Sequence, residues 1–192
     1  MSVGTSAVPA GAPSALWRAV FGDDRPVEVE IGPGRGDVIL AYAAAAPERG
    51  FFGIEWRVGQ ADAIVARAAA LGLPNVHAVG GDARCIVATV VPAASVAAFH
   101  VYFPDPWPKT RHRHRRLFEP VFAAALARAL APGGRVHVAS DLPGVVAEAR
   151  RHLVAAGLTA EPGVAMPEGR PRTHFERKYA GGGTHYTRFG WR

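Results

Sequence analysis

A single cysteine, Cys85, is the only thiol in this 192-residue chain. No intramolecular disulfide can form, which excludes the small disulfide-stapled secreted scaffolds and suits a reducing interior. The N-terminal stretch, 1–17, contains no Lys or Arg, so no secretory leader is read there. Long apolar runs are missing too. The most apolar stretch, 86–103, is broken by Pro92 and carries Ser95 and His100, so no membrane span is expected. With 49% apolar and 20% charged residues, the composition excludes a disordered or fibrous chain and fits one globular unit with a core. These absences lead us to expect a cytoplasmic protein.

Acidic residues are scarce in two places. Positions 109–116, KTRHRHRR, hold five Lys or Arg and no acid, and positions 170–192 hold six against one Glu. Together the two stretches carry +10 of a chain total of +6, which leaves −4 on the remainder. Such concentration is expected of a phosphate-binding footprint on a near-neutral scaffold, though solvated basic loops would give the same count.

Residues 1–16 are rich in Ala, Pro, Gly and Ser and are read as a poorly ordered lead-in to a single domain over 17–192. Strands are expected at 27–31, 51–55, 76–79, 97–102 and 135–140. Helices are expected at 37–46, 58–71, 117–130 and 143–156, with a shorter one near 85–91 and a last strand near 185–189. Alternating strands and helices imply an α/β fold whose mostly parallel sheet has helices on both faces. Cys85 is read as a small buried residue. His77, His137 and His152 have no acid in view and are read as structural, while Phe189 and Trp191 are expected to close the sheet's edge.

The first strand runs into EIGPGRG, which places Glu30 before Gly32, Gly34 and Gly36 and ahead of a helix. Glycines there let the chain turn sharply and let a ligand lie against backbone. The second strand ends in Gly53-Ile54-Glu55, nineteen residues beyond Gly36, near the spacing at which a carboxylate meets ribose hydroxyls. The third leads into Gly81-Asp82-Ala83. An NAD-linked oxidoreductase is the rival reading, disfavoured by the G-x-G-x-G spacing and the extra acid. Together the three motifs resemble the nucleoside-binding frame of the Rossmann-like class I methyltransferases.

After the fourth strand comes FPDPWPKTRHRHRR, residues 103–116. Asp105 between two prolines sits in a loop of restricted φ, with Phe103 and Trp107 available to stack on a flat base. Taken alone, Pro-Asp-Pro reads as a plain turn and Trp107 as a core anchor. The whole segment resembles the signature of the bacterial tRNA (guanine-N7-)-methyltransferase family, F-P-D-P-W-x-K-x-R-H-x-K-R-R, and the similarity extends over about 27–189.

That resemblance implies S-adenosylmethionine as cofactor, tRNA as partner and 7-methylguanosine as product, with the variable-loop guanine as target; whether a monomer or a homodimer acts stays open. It places Glu30, Gly32, Gly34, Gly36, Glu55, Asp82, Ala83 and Asp105 around the cofactor, with Asp105 also catalytic. It places Lys109, Arg111, His112, Arg115, Arg116, Asp141, Thr173, His174, Phe175 and Glu176 on the tRNA side. His114, Ser140, Leu142 and His174 depart from the family's usual Lys, Thr, aromatic and Lys. No metal is expected, because His112 and His114 sit i, i+2 in a cationic loop that repels one. Two further readings stay open on the residues alone: methylation of another RNA such as rRNA, and a non-catalytic RNA-binding module. Intact Glu30, Glu55, Asp82 and Asp105 favour catalysis.

Overall fold

Val-Glu-Val-Glu-Ile at strand β1 (Val27–Ile31) sends its side chains alternately to two faces, and both are buried. Val27, Val29 and Ile31 join the main apolar core, while Glu28 and Glu30 face the other way. The fold is built around that central strand. It is taken from a computed structural model, which describes residues 14–107, 109–167, 170–179 and 183–191.

Strands β2 (Gly50–Glu55), β3 (Val76–Gly80), β4 (Val96–Tyr102), β5 (Leu130–Ser140), β6 (Thr159–Glu161) and β7 (His185–Gly190) complete one sheet in the order β3-β2-β1-β4-β5-β7-β6. The first five strands are parallel, and β7 runs antiparallel to both of its neighbours. The strand order reverses between β1 and β4, the crevice where open α/β sheets bind ligands at their C-terminal ends. Helices α4 (Ala83–Thr89), α5 (Pro120–Ala129) and α6 (Pro143–Ala155) contribute Val87, Phe122, Leu126 and Leu153 to the main core with Phe99, Val101, Val136 and Val138. Helices α2 (Asp37–Ala45) and α3 (Val58–Ala70) pack Ile39, Leu40, Ile64 and Ala68 against Phe51 in a second cluster. Both faces are therefore covered, as expected.

The second face also holds a polar network. His100 Nε2 donates to Glu28 at 2.7 Å, and Arg49 donates to the other Glu28 oxygen at 2.6 Å. His100 stacks on His137, with ring centroids 4.9 Å apart, and His137 Nδ1 lies 2.7 Å from the Tyr186 hydroxyl. His137 thus has partners that only the lateral strand order supplies.

Several local expectations are corrected. Residues 14–16 of the expected lead-in are ordered: Ser14 caps helix α1 (Ala15–Phe21), which seats Trp17 in the core, while residues 1–13 lie outside the described residues. Helix α5 begins at Pro120 rather than 117, because a first-turn proline has no N–H to leave unpaired. Strand β5 reaches back to Leu130 through an irregularity: Val96 pairs with Leu130, but Ala98 pairs with Arg135. Cys85 is exposed, because α4 buries Val87 and turns Cys85 outward. Phe189 is fully buried and not at an edge, since β6 pairs with the far side of β7, while Trp191 stays partly exposed beyond the strand.

Candidate active site

The turn after β1 carries Gly32, Gly34 and Gly36 at φ 69°, 58° and 78°, all left-handed. Gly36 starts α2 and must be glycine twice over, since a Cβ there would stand 3.0 Å from Ile64. At Gly32 nothing stands within 4 Å of where a Cβ would lie. Glu55, at the end of β2, accepts the Gly34 N–H at 3.0 Å and the Arg57 N–H at 3.3 Å, so the second acid fixes the glycine turn. Glu30 is buried, and its Oε2 has no hydrogen-bond partner among the described residues. Burial pushes its carboxyl up to about 8, against the opposing charge of Arg170 and the Ile39 N–H. A buried carboxylate oxygen without a donor fits a ligand that brings a cation or an N–H. The residues present therefore suit the amino acid end of S-adenosylmethionine.

Beside this turn lies a cleft of about 280 Å³, lined by Gly32, Glu55, Trp56, Ala83, Phe103 and Asp105 among others. Asp82 caps α4 through the Arg84 N–H at 2.9 Å and pairs with the Arg84 guanidinium at 2.7 Å. The Arg84 hydrogen bonds hold its carboxyl below the ordinary range. Of the Gly81-Asp82-Ala83 turn, Gly81 and Ala83 line the cleft.

Asp105 is exposed at the rim. The loop that presents it has left-handed residues at both ends, Phe103 at φ 52° and Trp107 at φ 40°. Each precedes a proline, which ordinarily holds the preceding residue extended. Two such residues store strain of about 1–3 kcal/mol each, a cost typical of functional loops. The Phe103 N–H bonded to Ala139 O at 2.8 Å anchors the loop to β5. On the loop's other side a second hollow, about 510 Å³, is lined by Pro106, Arg116, Leu142, Glu148 and Arg151.

The basic run forms a 3-10 helix over Thr110–Arg115. Lys109 and Arg111 are exposed, and Arg111 Nε lies 3.3 Å from His112 Nε2. His112 meets the Trp107 ring edge-on at 5.6 Å, while Arg115 lies over that ring at 4.8 Å. Arg116 binds Trp107 O at 3.2 Å and Glu148 at 3.1 Å. Arg116 therefore ties the loop to α6, while Arg115 covers Trp107 and stays exposed. Asp141 follows β5 with one oxygen 3.4 Å from the buried Ser140 hydroxyl.

Thr173 and Glu176 form a reciprocal cap on helix α7 (His174–Tyr179). Glu176 accepts the Thr173 N–H at 2.7 Å, and Thr173 Oγ1 accepts the Glu176 N–H at 3.1 Å. His174 is half-buried in the first turn. Phe175 packs on Phe103, with centroids 5.5 Å apart, and so brings the C-terminal box to the Asp105 loop. The sequence contained the signal for this box, a Thr with Glu three residues on. Arg170 and Tyr102 carried no such signal, yet Arg170 lies over the Tyr102 ring at 4.8 Å and pairs with Glu176.

A family model described as "Putative methyltransferase" matches residues 24–187. The tRNA (guanine-N(7)-)-methyltransferase of Paracoccus denitrificans is 38% identical over 161 residues, covering 83% of this chain and 68% of its own length. The protein of the same name from Leifsonia xyli is 40% identical over 170 residues, covering 83% and 73%. Several other relatives of that name are matched over 64% of their length. Among solved structures, the 16S rRNA methyltransferase KamB superposes with a TM-score of 0.65 at 17% identity, covering 91% of each chain, a likeness of fold. With relatives at this identity across most of its length, the chain belongs to the tRNA (guanine-N(7)-)-methyltransferase family.

Proposed function

We propose that this chain methylates N7 of a guanine in the variable loop of tRNA, with S-adenosylmethionine as donor, to give 7-methylguanosine. The observation that supports the reading best is Asp105, held at the rim of the glycine-walled cleft by a loop left-handed at both ends. Glu30 and the Gly32–Gly36 backbone would hold the amino acid end of the donor, Glu55 the ribose hydroxyls, and the turn at Asp82 and Ala83 the base. The bound donor supplies an already activated methyl group on a sulfonium.

Guanine N7 offers a lone pair and carries no proton, so no general base is needed. What remains for the protein is alignment and electrostatics. Asp105 orients the base and offsets the positive charge the guanine gains as the bond forms. Phe103 lines the cleft beside it with Phe175 packed on its ring, and the exposed Lys109 and Arg111 would meet phosphates. N7 is inaccessible in regular A-form RNA, so the target base must be unstacked, at a cost of a few kcal/mol that contacts recover. Labelled methyl transfer to an unmodified tRNA transcript, at saturating S-adenosylmethionine, tests this: Asp105→Ala should abolish transfer even where the donor is bound. Full transfer by Asp105→Ala would overturn the assignment.

A further inference from the structure

Arg170 is buried, with only 3% of its side chain exposed against 6% for its partner Glu176. Its guanidinium is engaged on every side. One nitrogen pairs with Glu176 Oε1, another donates to Pro171 O at 3.0 Å, Nε lies 2.8 Å from the Met166 sulfur, and the plane covers Tyr102. A capping box closes with Thr and Glu alone, so the cap does not require the arginine. Stability alone does not explain the pair either, because a buried ion pair replaced as a whole by apolar residues is often no less stable. Removing the arginine alone would instead strand the Glu176 carboxylate and strongly destabilise the fold. The pair does divide the Glu176 carboxylate: Oε1 goes to Arg170, and Oε2 is left for the Thr173 N–H.

The segment fixed this way touches both halves of the site. Phe175 lies on Phe103, the first residue of the Asp105 loop, and Tyr102 beneath Arg170 is the last residue of β4. Arg177 of the same segment pairs with Asp37 at the start of α2, directly after the glycine turn. We propose that Arg170 is a positioning residue, whose planar guanidinium sets the Thr173–Glu176 box and Phe175 against the Asp105 loop and the cofactor turn. This rests on the methyl-transfer reading above.

Arg170 also acts by charge on Glu30. The other groups acting on that carboxyl are Asp37 and the Ile39 N–H from α2 and Glu55 from β2, and Tyr42 of α2 and Tyr102 of β4 share its surroundings. Arginine and lysine separate the two roles, since both are cations but only arginine has the planar fork.

The test compares Arg170→Met and Arg170→Lys with the wild type in thermal unfolding, tRNA kinetics and S-adenosylmethionine affinity across pH. Both variants should unfold cooperatively and lose about 10²-fold in kcat, the scale of a misplaced reacting group, with a smaller change in KM for tRNA. In Arg170→Met the rise of cofactor affinity with pH should move to higher pH, while Arg170→Lys should keep the wild-type profile. If Arg170→Met does not fold, the Lys variant decides: wild-type kcat in it overturns the inference. Unaltered kcat in both variants also overturns it, as does a loss that tracks unfolding in both. A wild type that binds no cofactor and methylates no tRNA overturns the functional reading, and this inference with it.

Discussion

Glu55 accepts the Gly34 backbone N–H at 3.0 Å, so the acid that ends β2 and the turn that follows β1 hold each other before any ligand arrives. Removing the carboxylate loosens the turn and, on the proposed function, deletes an acceptor for the donor's ribose. Hydrogen bonds to a charged group contribute about 1.5–3 kcal/mol. Glu55→Ala should therefore raise the Kd for S-adenosylmethionine by about 10- to 100-fold in calorimetry. An unchanged Kd would remove Glu55 from the cofactor site.

If Glu30 holds the donor as proposed, cofactor binding should have a pH dependence of defined sign. Burial raises its carboxyl to about 8 from an ordinary 4.5. In the ligand-free protein the group therefore favours its protonated form, and its contribution to stability is lost as pH rises from 4.5 through about 8. A positively charged donor favours the ionised form instead, so binding should release a proton below about pH 8. Affinity should climb toward that pH and then level. Calorimetry in buffers of different ionisation enthalpy reads the proton directly, and Glu30→Gln should flatten the profile.

Glu28 should behave in the opposite way. Burial alone would raise it, but hydrogen bonds from His100 and then Arg49 hold its carboxyl at about 2. Its stabilising contribution is present above the ordinary 4.5 and is lost as pH falls toward 2. Breaking the buried pair by Glu28→Gln should destabilise the fold by about 3 kcal/mol at neutral pH. It should also weaken the acid dependence of urea unfolding between those two values.

Arg111 and Arg116 should separate in a salt titration. Arg111 is exposed, whereas Arg116 is held by Trp107 O and Glu148. Arg111→Ala should lower the log–log salt slope of tRNA binding by just under one unit, about 0.7–0.9. Arg116→Ala should leave that slope close to wild type while lowering kcat, because it releases the Asp105 loop.

The first five strands and the acids at their ends were legible because strand alternation, glycine turns and strand-end motifs are local features. Helix α1 was hidden by an Ala- and Pro-rich composition, although Ser14 three residues before Trp17 is a cap signal. His137 could not be paired from sequence, because His100 lies opposite it, and Tyr186 diagonally across from it, only once β4 and β7 flank β5. Arg170 was hidden for a related reason. As one cation in a basic tail it resembles its neighbours, and only the return of that tail over Tyr102 buries it. Cys85 went the other way, because the register of a seven-residue helix decides its exposure.

The most direct measurement is nucleoside analysis of an unmodified tRNA transcript after incubation with the protein and labelled S-adenosylmethionine. The expected result is a labelled 7-methylguanosine peak that disappears when the variable-loop guanine is changed to adenine, and also with Asp105→Ala. Label in any other nucleoside would contradict the proposed function, as would no label while the donor remains bound.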